Sequence, residues 1–151
     1  MSYNSNFQRA LIDRSLLLIQ EYSGPYDATL LLNCLLGLVL VPHAQCFATM
    51  PLDPLDEFPK KWGIPLAAIL KQGDYRTDRK RNPEKLAYYC FRFFVNDLRD
   101  AIAHCFFRPI PENGEVTAFQ FWNDHHNFSA EIRINDLRVF GERLAEQLKT
   151  M

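Results

Sequence analysis

Apolar positions recur at helical spacing along Phe7, Leu11, Leu16, Leu18 and Ile19, and the pattern holds through Glu21 until Ser23-Gly24-Pro25 stops it. Asp27 supplies an N-cap for a second helix, Ala28 to Val41, which Pro42 is expected to end. Its run from Leu30 to Val41 is apolar except for Asn33, so it reads as a helix buried on nearly all sides. The stretch from His43 to Pro65 holds four of the nine prolines and no clear period; it predicts irregular chain with a short helix at most. Ile64 to Lys71 suits another short helix closed by Gly73. Asn82-Pro83-Glu84 then reads as an N-cap, a proline at the first helical position and an acid in the first turn. Leu86, Tyr89, Cys90, Phe93, Phe94, Leu98, Ala101, Ile102 and Cys105 continue that helix until Pro109 and Pro111 forbid it.

Beyond that point the period falls from helical to alternating. Glu112-Asn113-Gly114 marks a turn, Val116 to Trp122 alternates as a strand, Asp124-His125-His126-Asn127 turns again, and Phe128 to Ile134 alternates once more. Asp136 caps a last helix with apolar Leu137, Phe140, Leu144 and Leu148 at intervals of three and four. The expectation is a mainly α protein: a helical bundle with a short C-terminal β-hairpin and a final helix, one domain over residues 1–151.

Composition narrows the classes. A chain of 151 residues that is 48% hydrophobic, with 12 Phe and 6 Tyr, can bury a core, and six glycines are too few for a many-turned β architecture. A net charge of −1 argues against a protein dedicated to non-specific nucleic-acid binding, so contact with RNA must come from a local patch. Cys34, Cys46, Cys90 and Cys105 show no C-x-x-C pairing and no zinc-like spacing; three of them sit in apolar runs, where a reduced cysteine acts as a small hydrophobe, and the set reads as structural. No basic and then apolar leader opens the chain, and its most apolar run is about half the length that spans a bilayer. A cytoplasmic protein without membrane contact is expected.

The candidate chemistry lies at the end of the long helix, in Val95-Asn-Asp-Leu-Arg99-Asp100-Ala-Ile-Ala-His104. Asp97, Asp100 and His104 follow one another at i, i+3 and i+7, along one stripe, with Leu98, Ala101, Ile102 and Cys105 on the other side. Asp100 and His104, four apart, can hydrogen-bond and orient the imidazole. Arg99 lies well round the helix, but its long side chain can reach a ligand shared with His104, above all one that bridges two subunits. These are the parts of metal-free phosphodiester cleavage: a titratable imidazole for proton transfer and a guanidinium for phosphate charge. The same spacing also suits a surface stripe in which Asp100 and His104 only cap the helix.

Other residues leave alternatives open. Arg76, Arg79, Lys80, Arg81 and Lys85 form a basic stretch that is either a solvated loop or a track for RNA phosphates. Tyr88 and Tyr89 pack in the core or stack on bases. His125 and His126 read as part of a plain hairpin turn, because neighbours in a tight turn point apart and make a poor metal pair. Asn33 and Asn96 read as hydrogen-bonded interior residues, the alternative being that either helps orient the site. Neither a metal nor a cofactor is expected.

The string Leu98-Arg-Asp-Ala-Ile-Ala-His104 resembles the R-x4-6-H motif of the HEPN superfamily, in which Arg, a polar residue and then His close a long helix. Leu31-Leu-Asn33-Cys-Leu-Leu-Gly37-Leu-Val-Leu-Val-Pro42 and Gly114-Glu-Val-Thr-Ala-Phe-Gln-Phe-Trp122 are similar to a branch of that superfamily found on plasmids and in bacterial genomes. The resemblance implies an α-helical bundle that forms a homodimer with its motif helices meeting across a two-fold axis. It implies a metal-independent endoribonuclease of defence or toxin–antitoxin type, held in check by an antitoxin or a nucleotidyltransferase-like partner. On this chain His104 would activate the 2′-hydroxyl or protonate the leaving oxygen, Arg99 would hold the phosphate, and Asp100 would stand for the polar residue. The products would carry 2′,3′-cyclic phosphate and 5′-hydroxyl ends. The alternative is a non-catalytic HEPN module that binds RNA, a nucleotide or a protein partner through the same face. Two positions depart from the common pattern: Asp100 replaces a frequent Asn, and Cys105 a frequent Gly.

Overall fold

The computed structural model describes residues 3–21, 27–46, 49–75 and 88–150. Helix α1 covers Tyr3–Glu21 and α2 covers Asp27–Cys46, so α2 runs past Pro42 instead of ending there. A proline forfeits one helical N–H bond, yet its fixed φ is itself helical, and a long packed helix can absorb that loss. Leu31, Cys34, Leu35, Leu38 and Val39 of α2 are buried, but Asn33 is exposed, which corrects its reading as an interior residue. Short turns follow at Leu55–Glu57, Phe58–Trp62 (a π-helical turn) and Leu66–Ala68.

Of the short helix expected over Ile64–Lys71, a single 3-10 turn forms at Leu66–Ala68, and strand β1, Ile69–Lys71, takes the rest. Helix α3 is Phe91–Ala103. Its expected start at Asn82-Pro83-Glu84 lies outside the described residues, and Tyr88 and Tyr89 precede α3 instead of belonging to it. The reason is local: Cys90 is extended (φ −138, ψ 172) and bridges to Pro54, while the Phe91 N–H donates to the Asp53 carbonyl at 2.9 Å. Backbone committed to that bridge cannot be helical at Cys90.

Strands β2 (Phe107–Glu112), β3 (Glu115–Asn123) and β4 (Phe128–Arg133) lead into helix α4, Ile134–Lys149, whose first turn holds Asp136. The β3–β4 hairpin is the predicted one. The sheet, however, has four antiparallel strands in the order β1-β4-β3-β2, so a short hairpin understates it. Pro109 and Pro111 stop a helix, as expected, but they sit in an edge strand, where a missing N–H need not break a ladder. Asn113 and Gly114, with φ of 53° and 82°, form the two-residue loop between Glu112 and Glu115, the geometry Asn-Gly favours.

One face of β3 and β4 is apolar: Phe119 and Phe121 alternate with Gln120 and Trp122, and Phe128, Ala130 and Ile132 alternate with exposed Glu131 and Arg133. Against it stand Phe91 and Phe94 of α3 and Phe140 of α4, all fully buried. Phe94 meets Phe128 and Phe140 edge-on, with ring centroids 6.0 and 5.8 Å apart. Trp62 stacks on Phe91 at 3.7 Å and donates its Nε1–H to Asp53. Burying each such ring is worth roughly 1.5–3 kcal/mol, so α3 is held between sheet and helices by its aromatic side, and its polar positions are thereby aimed.

Candidate functional site

Helix α3 ends in a double hydrogen-bonded cap. The Cys105 N–H donates to the Ile102 carbonyl at 3.2 Å and the Phe106 N–H to the Ala101 carbonyl at 2.7 Å, with Cys105 left-handed at φ 59°. This is the Schellman arrangement, with His104 as the C-cap and Cys105 at the position that usually takes glycine. The His104 N–H still donates to the Asp100 carbonyl at 3.1 Å, but the residue lies beyond the last helical one. Its imidazole makes no hydrogen bond or ion pair among the described residues; its ring lies 5.9 Å from Phe106, itself exposed and stacked at 6.1 Å on Trp122. The expected Asp100–His104 hydrogen bond is therefore absent: side chains four apart meet only where both residues keep helical angles, and His104 has left them (φ −99, ψ 9).

Arg99 and Asp100 do come together, with Arg99 Nη2 3.1 Å from Asp100 Oδ1. Both side chains are partly buried, and the Arg99 Nε is enclosed without a hydrogen-bond partner among the described residues. The guanidinium thus offsets the negative charge that Asp100 brings to this place. Of the three predicted site residues, the fold joins two and leaves the imidazole apart, open to solvent.

Asp97, placed by its spacing on the same stripe, is fully buried instead. Its Oδ1 accepts from Tyr75 Oη at 2.8 Å and from Asn123 Nδ2 at 3.2 Å, with His126 Nδ1 at 3.0 Å. Its Oδ2 accepts from Tyr89 Oη at 2.7 Å. Asn96 donates to the Tyr75 hydroxyl at 3.1 Å, so this asparagine is hydrogen-bonded as expected. Tyr75 lies between Phe93 and His126, with ring centroids at 4.1 and 4.0 Å. Burial first, and then the charge of Asp97, pushes both phenols well above the usual tyrosine range, which keeps them as neutral donors. Gly73 makes the cluster possible, since a β-carbon there would fall on Asp97 Oδ2.

Sequence reasoning missed Tyr75, Tyr89, Asn123 and His126 as one polar unit. It expected His125 and His126 to point apart; their rings are 4.6 Å apart, and only His126 turns inward, because the β3–β4 turn folds over the flank of α3. The signal available was Asn123 and His126 flanking a turn beside an apolar strand, where a polar residue on the buried face demands a partner. Cys34 and Cys90 are buried and burial raises their thiols, but Cys105 is exposed, against its place in the apolar pattern. The side chains of Cys46 and Phe7 lie outside what is described, as do Arg76, Arg79, Lys80, Arg81 and Lys85 altogether. Among the described residues no three His, Cys, Asp or Glu side chains group as metal ligands, and no helix is long and apolar enough to cross a membrane.

Comparison with known proteins adds one match. A family model described as HEPN pEK499 p136 matches residues 1–151. No curated protein and no solved structure matches the chain.

Proposed function

Because the chain belongs to this HEPN family, we propose that it is a metal-independent endoribonuclease of toxin–antitoxin or defence type, one domain that acts as a homodimer in the cytoplasm. Support comes from the end of α3, where a guanidinium already turned toward its neighbour's carboxylate stands five residues before an imidazole open to solvent. In this reading His104 takes the proton from the 2′-hydroxyl or returns one to the departing 5′-oxygen. Arg99 carries the phosphate charge as the 2′-oxygen attacks phosphorus, and Asp100 orients Arg99. Two copies of α3 facing across a two-fold axis would bring the separated groups into one cleft. The basic residues Arg76, Arg79, Lys80, Arg81 and Lys85 would meet RNA phosphates, and an antitoxin or nucleotidyltransferase-like partner would mask the cleft.

The test is incubation of purified protein with RNA in EDTA, beside His104→Ala and Arg99→Ala. The expected result is cleavage with 2′,3′-cyclic phosphate ends that both variants lose; equal cleavage by all three proteins means contamination and removes the proposal. Sizing should give about twice the 17.6 kDa chain mass. One observation favours a second reading, a non-catalytic module for RNA, a nucleotide or a protein partner: Asp100 competes with phosphate for the Arg99 guanidinium. Wild-type protein that is inert on RNA but binds it in a salt-sensitive way would select that reading.

A further inference from the structure

Asn123 is the last residue of β3, and its side chain is buried between two carboxylates of α3. The amide orientation is set from one side: its Oδ1 accepts the His125 backbone N–H at 3.2 Å, which leaves Nδ2 facing the helix. Three groups lie within reach of Nδ2: Asp97 Oδ1 at 3.2 Å, His126 Nδ1 at 3.3 Å and Asp100 Oδ2 at 3.4 Å. An amide nitrogen has two hydrogens. His126 Nδ1 is also 3.0 Å from Asp97 Oδ1, and as an N–H donor to that oxygen it takes no hydrogen from Asn123. Both amide hydrogens then go to carboxylates, one to Asp97 and one to Asp100.

Asp100 is held at both oxygens in this way: Oδ2 by Asn123 and Oδ1 by Arg99 Nη2. The two carboxylates sit three residues apart on one helix face, where like charges repel, and the amide hydrogens between them offset that repulsion. We infer that Asn123 is a positioning residue, which ties the Arg99–Asp100 pair to the buried Asp97–His126 pair and so fixes where the guanidinium stands. This rests on the reading of Arg99 as the phosphate-binding group, and it adds to that site a support from the β3–β4 hairpin. Asn123 touches no substrate; it acts through Asp100.

The experiment is side-chain NMR on the full chain, with the Arg99 Nε–H signal assigned by its loss in Arg99→Lys. In wild type that hydrogen should exchange slowly with water, because the Nε is enclosed. Asn123→Ser, which keeps a small polar group but cannot span two carboxylates, should exchange it about tenfold faster, the worth of one lost charge-assisted hydrogen bond. The backbone amides of Ala130 and Ile132 should keep their protection, which a general loss of stability would not allow. An unchanged Arg99 signal in folded Asn123→Ser overturns the inference, and so does a wild-type Arg99 Nε–H that exchanges like an exposed arginine. Should Asn123→Ser not fold, Asp100→Ala decides: one of the two Asn123 Nδ2 hydrogens should lose protection while the other keeps it, and two unchanged hydrogens refute the link. RNA cleavage measured in parallel separates the two ideas. Arg99 released in a protein whose wild type is inert on RNA leaves the positioning role and removes the ribonuclease; cleavage with Arg99 unmoved does the reverse.

Discussion

Helix α3 carries two polar regions within about two turns of each other, and they obey opposite rules. Asp97 is wholly enclosed, and every group around it is placed to donate: two phenols, an amide and an imidazole. Asp100, Arg99 and His104 are partly or fully exposed; among the described residues Asp100 pairs with Arg99 and accepts from Asn123, the enclosed Arg99 Nε has no partner, and the His104 imidazole makes no hydrogen bond. A buried carboxylate persists only when its hydrogen bonds are satisfied, so the first region has no capacity left for a ligand. The second keeps a partly exposed guanidinium and an exposed imidazole, which is what recognition of a phosphate requires. Sequence spacing puts all four residues on one stretch of helix; burial divides them.

The largest expected effect tests that division. Asp97→Ala leaves Tyr75, Tyr89, Asn123 and His126 facing a void, and should lower stability by about 3–5 kcal/mol in urea denaturation, as breaking buried charged networks does. Asp100→Ala removes an ion pair of partly exposed side chains and one hydrogen bond from Asn123, and should cost about 1–2 kcal/mol. Equal losses would erase the distinction between the regions.

Alkali sharpens the comparison next. Tyr75 and Tyr89 have phenols raised by burial and by Asp97, so the folded protein keeps their protons where the unfolded chain gives them up. Their contribution is intact below the unfolded tyrosine value near pH 10 and falls as pH rises above it, by up to about 1.4 kcal/mol per pH unit for each. Denaturation midpoints between pH 9 and 11 should drop accordingly, and Tyr89→Phe should remove about half of the tyrosine share of that slope. A flat profile would mean that the phenols are not enclosed.

Gly73→Ala should cost about 1–3 kcal/mol, an overpacking penalty, because the new methyl would displace Asp97 Oδ2. Thermal melting is sufficient to read it. This glycine also shows why the Asp97 cluster was illegible. Gly73 reads in sequence as a helix stop, while its role is a close approach to a carboxylate that the fold brings to it. Tyr75 and His126 reach Asp97 across 22 and 29 residues, and no local period encodes such contacts. The elements that were legible depend on neighbours in the chain: α1, α2, α4 and the β3–β4 hairpin follow from periods of 3.6 and 2. Strand β2 was hidden because Pro109 and Pro111 mark where a helix cannot go without saying that an edge strand can. The break in the helical pattern at Cys90 comes from its bridge to Pro54, another contact from far along the chain. The candidate residues Arg99, Asp100 and His104 were legible as a motif, while the separation of His104 from the other two depends on the cap geometry that follows it.

That cap carries the smallest effect. Cys105 occupies the left-handed C′ position of α3, with φ 59°, where a β-carbon crowds the backbone at a cost of roughly 1–2 kcal/mol and glycine escapes it. Glycine gives back part of the gain, since it loses more freedom on folding, by about 0.5–1 kcal/mol. Cys105→Gly should therefore stabilise the protein by about 0.5–1 kcal/mol, a rise of a few degrees at most in melting temperature for a chain of 151 residues. The thiol is exposed, and among the described residues no hydrogen bond depends on its side chain. The outcome bears on the site as well as the cap. His104 immediately precedes this residue, and its distance from Asp100 is set by how the chain leaves the helix. If Cys105→Gly stabilises the chain and leaves RNA cleavage unchanged, the left-handed turn is a cap that tolerates cysteine. If it stabilises and slows cleavage, the strained residue is holding the imidazole where the exposed region needs it, at a small cost in stability that the enclosed region never bears.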